Sequence, residues 1–313
     1  MNLLVTGGAG FMGSAFIRLI IKNNLVHQII NYDLLTYAGR LENLKEIESD
    51  KRYKFIKGDI KDGEMVKKTV FDYEIDTIVN FAAETHVDRS IINPDVFLET
   101  NVLGTNSLLK VATELDLRFH HISTDEVFGA LELDSKIKFN EKTPYSPQSP
   151  YSASKASSDH LTRAYFNTYG TRITISNSSN NYGPYQFPEK FIPLSITNLL
   201  NNKKIPMYGD GLYVRDWLYV DDHAKGVWNI VTNGKIGETY CLGGEAERNN
   251  MEVAKTILKL LGKDESMIEY VDDRKGHDRR YAVDISMIKN ELGWEPEVRF
   301  EEGIQKTIDF YRS

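Results

Sequence analysis

A single cysteine, Cys241, occurs in the 313 residues. That excludes an internal disulfide framework and any cysteine-built structural zinc site. There is no excess of positive charge either. The 38 lysines and arginines face 45 aspartates and glutamates, leaving a net charge of −7. No global field draws the chain to nucleic acid or to an anionic membrane. Its most basic stretch, Arg274-Lys275-Gly276-His277-Asp278-Arg279-Arg280, follows Asp272-Asp273 and is a mixed cluster. No apolar run is long enough to span a bilayer, and no signal-type segment stands ahead of Leu3. A cytoplasmic protein is expected. Internal repeats and low-complexity tracts are missing. No metal site is expected: His27, His120, His121 and His160 have no ligand-type neighbours and read as structural. What remains is an ordinary globular composition, 41% hydrophobic and 27% charged. The length suits two domains, or one large α/β unit with an appendage.

The organising stretch is Leu3-Leu4-Val5-Thr6-Gly7-Gly8-Ala9-Gly10-Phe11-Met12-Gly13-Ser14. A short apolar run ends in Gly7, Gly10 and Gly13, and the amphipathic Phe16-Ile17-Arg18-Leu19-Ile20-Ile21-Lys22 follows. This reads as buried strand, tight turn, helix. Glycine lets the backbone approach a pyrophosphate, and a helix N-terminus offers free N–H groups and partial positive charge. Asp33 closes the next apolar run, about 20 residues after the last glycine. An acid there accepts hydrogen bonds from the adenosine ribose of NAD and repels the 2′-phosphate of NADP. The plain alternative is a glycine-rich turn and a surface aspartate.

Strand and helix patterns then alternate. Helices are expected near 40–48, 63–71, 95–115 and 151–169, and strands at 53–57, 77–83, 119–123 and 172–178. The implied fold is α/β: a Rossmann-type, doubly wound parallel sheet over residues 1–180. From about Asn180 the pattern becomes irregular, with Pro184, Pro188, Pro193 and Pro206. A smaller mixed α/β domain is expected over 181–313, with about 214–232 returning to the first.

Ligands bind beyond the carboxyl ends of such strands, so those segments carry the candidates. Gly58-Asp59-Ile60 is a candidate adenine contact. Ala82-Ala83 lets a cofactor pass close to the backbone, and His86 beyond it is a substrate contact or a surface histidine. Asp125 and Glu126 follow the fifth strand. As solvated loop charges they mean little; in a drier site, their pKa values pushed apart, they are an acid and a base. Strand neighbours point to opposite faces, so both serve one substrate only if the chain has left the sheet by Asp125. Tyr151 and Lys155 open the next helix. Residues four apart there stand about 5–6 Å apart on one face. Lys155 is then expected to lower the Tyr151 pKa and bond the nicotinamide ribose, making Tyr151 a base for a hydroxyl being oxidised. Tyr53 and Lys57 share the spacing, but along a strand they stand about 13 Å apart and cannot cooperate.

Nearly end to end, the chain resembles the extended short-chain dehydrogenase/reductases that act on nucleotide sugars, and within them the dTDP-glucose 4,6-dehydratase family. The resemblance rests on Gly7–Gly13, Leu35-Thr36-Tyr37-Ala38-Gly39, Glu84-Thr85-His86-Val87-Asp88-Arg89-Ser90, Ser123-Thr124-Asp125-Glu126-Val127, Tyr151-Ser152-Ala153-Ser154-Lys155, Asn180-Asn181-Tyr182-Gly183-Pro184-Tyr185 and Arg215-Asp216-Trp217-Leu218-Tyr219-Val220-Asp221-Asp222-His223. Thr124-Asp125-Glu126 discriminates, because related 4-epimerases usually carry non-acidic residues there. Met12 and Phe128 depart from the commoner Ile and Tyr.

The resemblance implies an NAD-dependent hydro-lyase of deoxysugar biosynthesis. Tyr151 takes the 4-hydroxyl proton as hydride leaves C4, Glu126 removes the C5 proton, and Asp125 protonates the departing 6-hydroxyl. Hydride returns to C6, while Thr124 bonds the 4-oxygen. It implies a cofactor shell of Gly7, Gly10, Phe11, Met12, Gly13, Asp33, Leu34, Thr36, Asp59, Ile60, Phe81, Ala82, Ala83, Thr85, Thr100, Tyr151, Lys155 and Asn181. It implies substrate contacts at Glu84, His86, Thr124, Asn180, Glu189, Lys190, Pro206, Tyr208, Asn250, His277 and Tyr281. Arg215 and Arg274 are pyrophosphate candidates, with salt bridges to Asp216 or Asp273 as the plain alternative; Glu189-Lys190 can equally be a helix-start pair. A homodimer through the helices near 95–115 and 151–169 is implied by analogy. UDP- or CDP-glucose, a 4-epimerase or decarboxylase, and a non-catalytic NAD-binding regulator stay open as alternatives.

Overall fold

A computed structural model describes residues 1–273 and 277–312. Seven parallel strands form the main sheet, in the order β10-β6-β5-β4-β1-β2-β3. They are β1 (Asn2–Thr6), β2 (Gln28–Asp33), β3 (Tyr53–Lys57), β4 (Thr77–Asn80), β5 (Arg118–Thr124), β6 (Ile173–Ser178) and β10 (Thr239–Leu242). A parallel sheet is covered on both faces, so its central strands carry unbroken apolar runs. Leu3, Leu4 and Val5 of β1 are wholly buried, as are Ile29 and Ile30 of β2.

Each face has its own core. On one, Phe16, Ile17 and Ile20 of helix Phe11–Lys22 meet Val227, Ile230 and Val231 of helix Val220–Asn233. On the other, Val66 and Val70 of helix Gly63–Asp72 meet Leu108, Leu109 and Ala112 of helix Thr105–Glu114. Burying each such aliphatic side chain contributes about 1.5–3 kcal/mol. Helix Pro150–Tyr169 lies along β5 and β6.

Two differences from the sequence expectation have physical reasons. The sheet gains β10, whose four-residue run is too short to stand out beyond the irregular segment. The helix expected near 95–115 is interrupted: Asp95–Phe97 runs into a π-helical turn, Leu98–Gly104, before Thr105–Glu114. The remaining strands are β7 (Asn180–Tyr182), β8 (Ile205–Tyr208), β9 (Val214–Tyr219), β11 (Glu247–Asn249) and β12 (Ile268–Val271). They pair as β11-β9-β7 and β12-β8. A third core joins them, with Tyr182, Ile196, Met207, Trp217, Ile257 and Ile304.

The main sheet runs outward from β1 to β2 and β3 on one side, and to β4, β5, β6 and β10 on the other. That reversal creates a crevice at the carboxyl ends of the strands.

Candidate active site

The crevice holds a cavity of about 310 Å³. Its floor is the turn after β1. Gly7 has φ +67°, and a Cβ there would stand 2.5 Å from the Ala82 nitrogen. A Cβ on Gly13 would strike the Gly7 carbonyl oxygen. Gly10 starts the first helix without a side-chain cap, leaving the helix N-terminus for a ligand. At the end of β2, Asp33 accepts the Ala9 N–H (2.9 Å) and the Leu35 N–H (2.8 Å). Burial raises its pKa, and those two N–H groups oppose the rise. The acid thus pins the glycine turn to β2 while it lines the cavity.

Every residue assigned to the cofactor from the sequence lines this one cavity. Gly7, Gly10, Phe11, Met12 and Gly13 come from the turn. Asp33, Leu34, Thr36, Asp59 and Ile60 follow β2 and β3. Phe81, Ala82, Ala83, Thr85 and Thr100 follow β4, and Tyr151, Lys155 and Asn181 border β5 and β6. Thr124, Asp125, Glu126, Glu84, Asn180, Glu189 and Lys190 line it as well. Five lining residues carry buried side-chain atoms with no hydrogen-bond partner among the described residues: Asp125 Oδ2, Ser179 Oγ, Asn180 Oδ1, Asn181 Oδ1 and Gln186 Oε1. Buried polar atoms are rarely left so, and a polar ligand satisfies them.

The acid pair stands where β5 ends. A 3₁₀ turn, Asp125–Phe128, starts at Asp125, so the chain has left the sheet and both acids reach the cavity. Thr124 Oγ1 accepts the Glu126 N–H (3.3 Å) and donates to Asp125 Oδ1 (3.4 Å). Asp125 is 1% exposed. Burial first, then the charges of Glu126 and Asp216, hold its pKa well above the usual carboxylate range. Its protonated form is favoured, beside a second carboxyl group, an arrangement suited to acid–base work.

Ser149 and Ser152 form a capping box that starts helix Pro150–Tyr169, with Pro150 at its first position. Lys155 is buried one turn after Tyr151. Its Nζ donates to the Ile122 carbonyl (2.7 Å) and stands 3.3 Å from His121 Nε2. Burial lowers its pKa to about 8. Tyr151 does not follow expectation: its pKa is raised, not lowered. Burial dominates, Glu126 adds negative charge beside it, and the Lys155 ammonium is committed to the Ile122 carbonyl.

Several supporting residues carried no signal in the sequence. The π turn points Asn101 inward, where it accepts the Glu84 N–H (2.8 Å) and donates to the Glu84 carbonyl (3.0 Å) and Ser154 Oγ (2.8 Å). Asp159 accepts from Ser123, Tyr145 and Asn177 behind Thr124. Arg89 stacks on Tyr37 at 3.6 Å, and Tyr37 meets the Phe187 edge at 5.7 Å, joining two loops across the cavity mouth.

The remaining substrate candidates among the described residues lie outside the cavity lining. His86 caps helix Val87–Ile92 through the Arg89 N–H (3.4 Å) and stands 3.7 Å from Glu189. Glu189 also pairs with Arg89 (3.2 Å), and Lys190 donates to the Thr85 carbonyl (3.2 Å). Buried Arg215 lies 4.3 Å over the Tyr281 ring and donates to the Val214 and Asp278 carbonyls; it forms no surface pair with Asp216, which accepts the Gly244 and Ala246 N–H groups. Tyr281 donates to Asp278. Both flank the acids: the Arg215 charge opposes the rise at Asp125, and Glu126 helps raise Tyr281. Farther out, His277 stacks on Tyr213 at 3.6 Å and turns its edge to Tyr208. The Asn250 N–H bonds the Tyr213 carbonyl, and Pro206 sits in β8. Arg274 lies outside the described residues.

The family model described as GDP-mannose 4,6 dehydratase matches residues 4–307. The dTDP-glucose 4,6-dehydratase of Mycolicibacterium smegmatis is 51% identical over 314 residues, covering 100% of this chain and 94% of that protein. The dTDP-glucose 4,6-dehydratase of Streptomyces venezuelae, solved with NAD bound, superposes with a TM-score of 0.96 at 46% identity, covering 100% of this chain and 97% of that one. The UDP-glucose 4-epimerase of Thermotoga maritima superposes with a TM-score of 0.91 at 29% identity, covering 100% and 99%.

Proposed function

The chain belongs to the dTDP-glucose 4,6-dehydratase family, and from that premise we propose that it converts dTDP-glucose to dTDP-4-keto-6-deoxyglucose. The observation that carries the reading is Asp125. It is a sealed carboxyl group, its protonated form favoured by burial, adjoining Glu126 in the cavity that also holds Tyr151 and Lys155. Epimerisation at C4 has no use for an acid and a base at C5 and C6.

The glycine turn, Asp33 and the unpartnered amide oxygens fit NAD. When bound, it supplies hydride chemistry: a hydride is taken from C4 and given back at C6. The chain's own groups do the rest. Tyr151 would accept the 4-hydroxyl proton as its phenolate, a form the positive charge of bound NAD would favour, and Lys155, held by the Ile122 carbonyl, would hydrogen-bond the ribose. Thr124 bonds the 4-oxygen. The 4-ketone acidifies C5–H, Glu126 removes that proton, and Asp125 protonates the departing 6-hydroxyl. General acid or base help of this kind contributes about 10²–10⁴-fold. Glu84, Asn180, Glu189 and Lys190 grip the sugar nucleotide from the cavity wall. His86, Pro206, Tyr208, Arg215, Asn250, His277 and Tyr281 extend the grip beyond it.

Mass spectrometry of dTDP-glucose incubated with the protein and NAD in deuterated water tests the reading. Loss of one water with one deuterium gained at C5 is expected. Unchanged mass with inverted C4 overturns it in favour of epimerisation, and turnover of UDP- or CDP-glucose alone reassigns the base.

The protein is also proposed to be a homodimer. Ile91, Ile92, Val96, Leu98 and Leu103 are exposed on the segment 87–104, a grouping that suits a protein interface. Light scattering that gives a monomer mass at micromolar concentration refutes it. A cytoplasmic location is proposed as well, a reading that dependence on NAD and a nucleotide sugar supports; no described helix is long and apolar enough to cross a membrane.

A further inference from the structure

Three segments meet at the cavity mouth. Residues 34–40 follow β2, residues 183–190 follow β7, and residues 81–86 lead from β4 into the helix Val87–Ile92. Tyr37 lines the cavity from the first of these and Phe187 from the second. Neither belongs to the cofactor or substrate contacts assigned above, and neither takes part in the proton and hydride steps.

The two rings stand edge to face, with 5.7 Å between centroids and 88° between planes. Each is backed by a guanidinium. Arg89 lies 3.6 Å over the Tyr37 ring, and Arg40 lies 4.8 Å over the Phe187 ring. Arg89 also pairs with Glu189 at 3.2 Å, and Lys190 donates to the Thr85 carbonyl at 3.2 Å. The 183–190 segment is fastened ahead of Phe187 too. Gln186 donates to the Asn181 carbonyl (2.9 Å), and its own carbonyl accepts from Tyr311 of the C-terminal helix Phe300–Arg312. Tyr185 holds φ +68°, a costly conformation for a bulky residue. Its ring meets the Arg18 guanidinium at 4.1 Å and the Phe310 ring at 4.4 Å. Such a conformation persists only where surrounding contacts impose it. Here it turns the chain so that Gln186 and Phe187 line the cavity.

We propose that Tyr37 and Phe187 form a clasp that retains NAD in the cavity from one turnover to the next. The clasp rests on the dehydratase reading, which supplies the need for it. A cycle that takes hydride from C4 and gives it back at C6 fails when the cofactor escapes midway. The glycine turn is the cavity floor and the clasp spans the mouth, so NAD leaves only when the two rings part. The contacts that hold them are ring on ring and guanidinium on ring.

Release of radiolabelled NAD from the loaded protein into excess unlabelled NAD, followed by rapid filtration, tests the clasp without any turnover. Tyr37→Ala and Phe187→Ala are each expected to release NAD on the order of tenfold faster than wild type, the effect of losing one ring pair and one stacked guanidinium. The double variant is expected to stay within about threefold of the quicker single variant, because both changes open one contact. Tyr37→Phe keeps the ring and restores slow release. Should Phe187→Ala not fold, Phe187→Leu, apolar but without a ring, is read in the same way. Wild-type release from both alanine variants overturns the clasp, as does fast release from Tyr37→Phe. Single effects that multiply in the double variant overturn it too, since they mark two separate contacts with the cofactor. All three results leave wild-type water loss, and the dehydratase reading with it, intact. A wild-type protein that binds no NAD removes the reading and the clasp together.

Discussion

Asp125→Asn isolates the acid from the rest of the site. The amide has the carboxyl group's shape and can still accept the Thr124 hydroxyl, but it has no proton to give to a departing 6-hydroxyl. Loss of a positioned acid costs about 10²–10⁴ in rate, or about 3–5 kcal/mol at roughly 1.4 kcal/mol per factor of ten. On the proposed mechanism, oxidation at C4 depends on Tyr151 and continues. Stopped-flow absorbance is therefore expected to show reduced nicotinamide accumulating on the variant while water loss, followed by mass spectrometry, stalls. Stability moves the other way. The folded-state pKa of Asp125 lies well above its ordinary 3.8, so the folded chain binds more protons than the unfolded one between the two values. The stabilisation this gives is complete below about pH 3.8 and is lost as pH rises through the folded pKa. The asparagine variant has no such loss. Its stability relative to wild type, from urea unfolding, rises with pH and then levels off. A variant that turns over within about threefold of wild type, or a stability difference flat in pH, refutes the assignment of Asp125 as a protonated acid.

Tyr151→Phe acts earlier in the sequence of steps: no reduced nicotinamide forms in a single turnover, and wild-type accumulation in that variant removes Tyr151 as the oxidation base. Gly13→Ala pushes a methyl group against the Gly7 carbonyl and spreads the turn that faces the pyrophosphate. NAD affinity by calorimetry is expected to fall at least about tenfold, or about 1.4 kcal/mol, and unchanged affinity refutes the tight-turn argument. Lys155→Met tests burial of an ammonium. The Lys155 pKa falls from 10.5 to about 8, roughly 2.5 units, worth on the order of 3 kcal/mol. The penalty is complete below about pH 8 and relieved as pH rises towards 10.5, so the stability of the variant relative to wild type must decline across that window. A constant difference refutes the shift.

The fold was legible where physics is local. Three glycines between an apolar run and an amphipathic one specify strand, turn and helix, and Gly7 and Gly13 stand where a Cβ would collide. Asp33 could be placed at the end of β2 because the apolar run before it stops there. Tyr151 and Lys155 needed only helical spacing and a start signal. What stayed hidden depends on packing between distant segments. Asn101 reaches Glu84 and Ser154 because the helix carries a π turn, and no residue type in Leu98–Gly104 announces one. The four residues of β10 join the sheet through pairing with β6, not through their own length. Arg215, read as a pyrophosphate candidate with a surface pair as the plain alternative, is buried and stacked on Tyr281.

The physical ground for dividing the labour proposed for two adjacent acids lay furthest from the residue types, since Asp125 and Glu126 are chemically almost the same and only the family resemblance told them apart. Burial makes the difference. The 3₁₀ turn seals Asp125 under β5 with Oδ2 unpartnered, while Glu126, half-buried, lies one position farther along the cavity wall. An ionised carboxylate is costly in the first position and tolerable in the second.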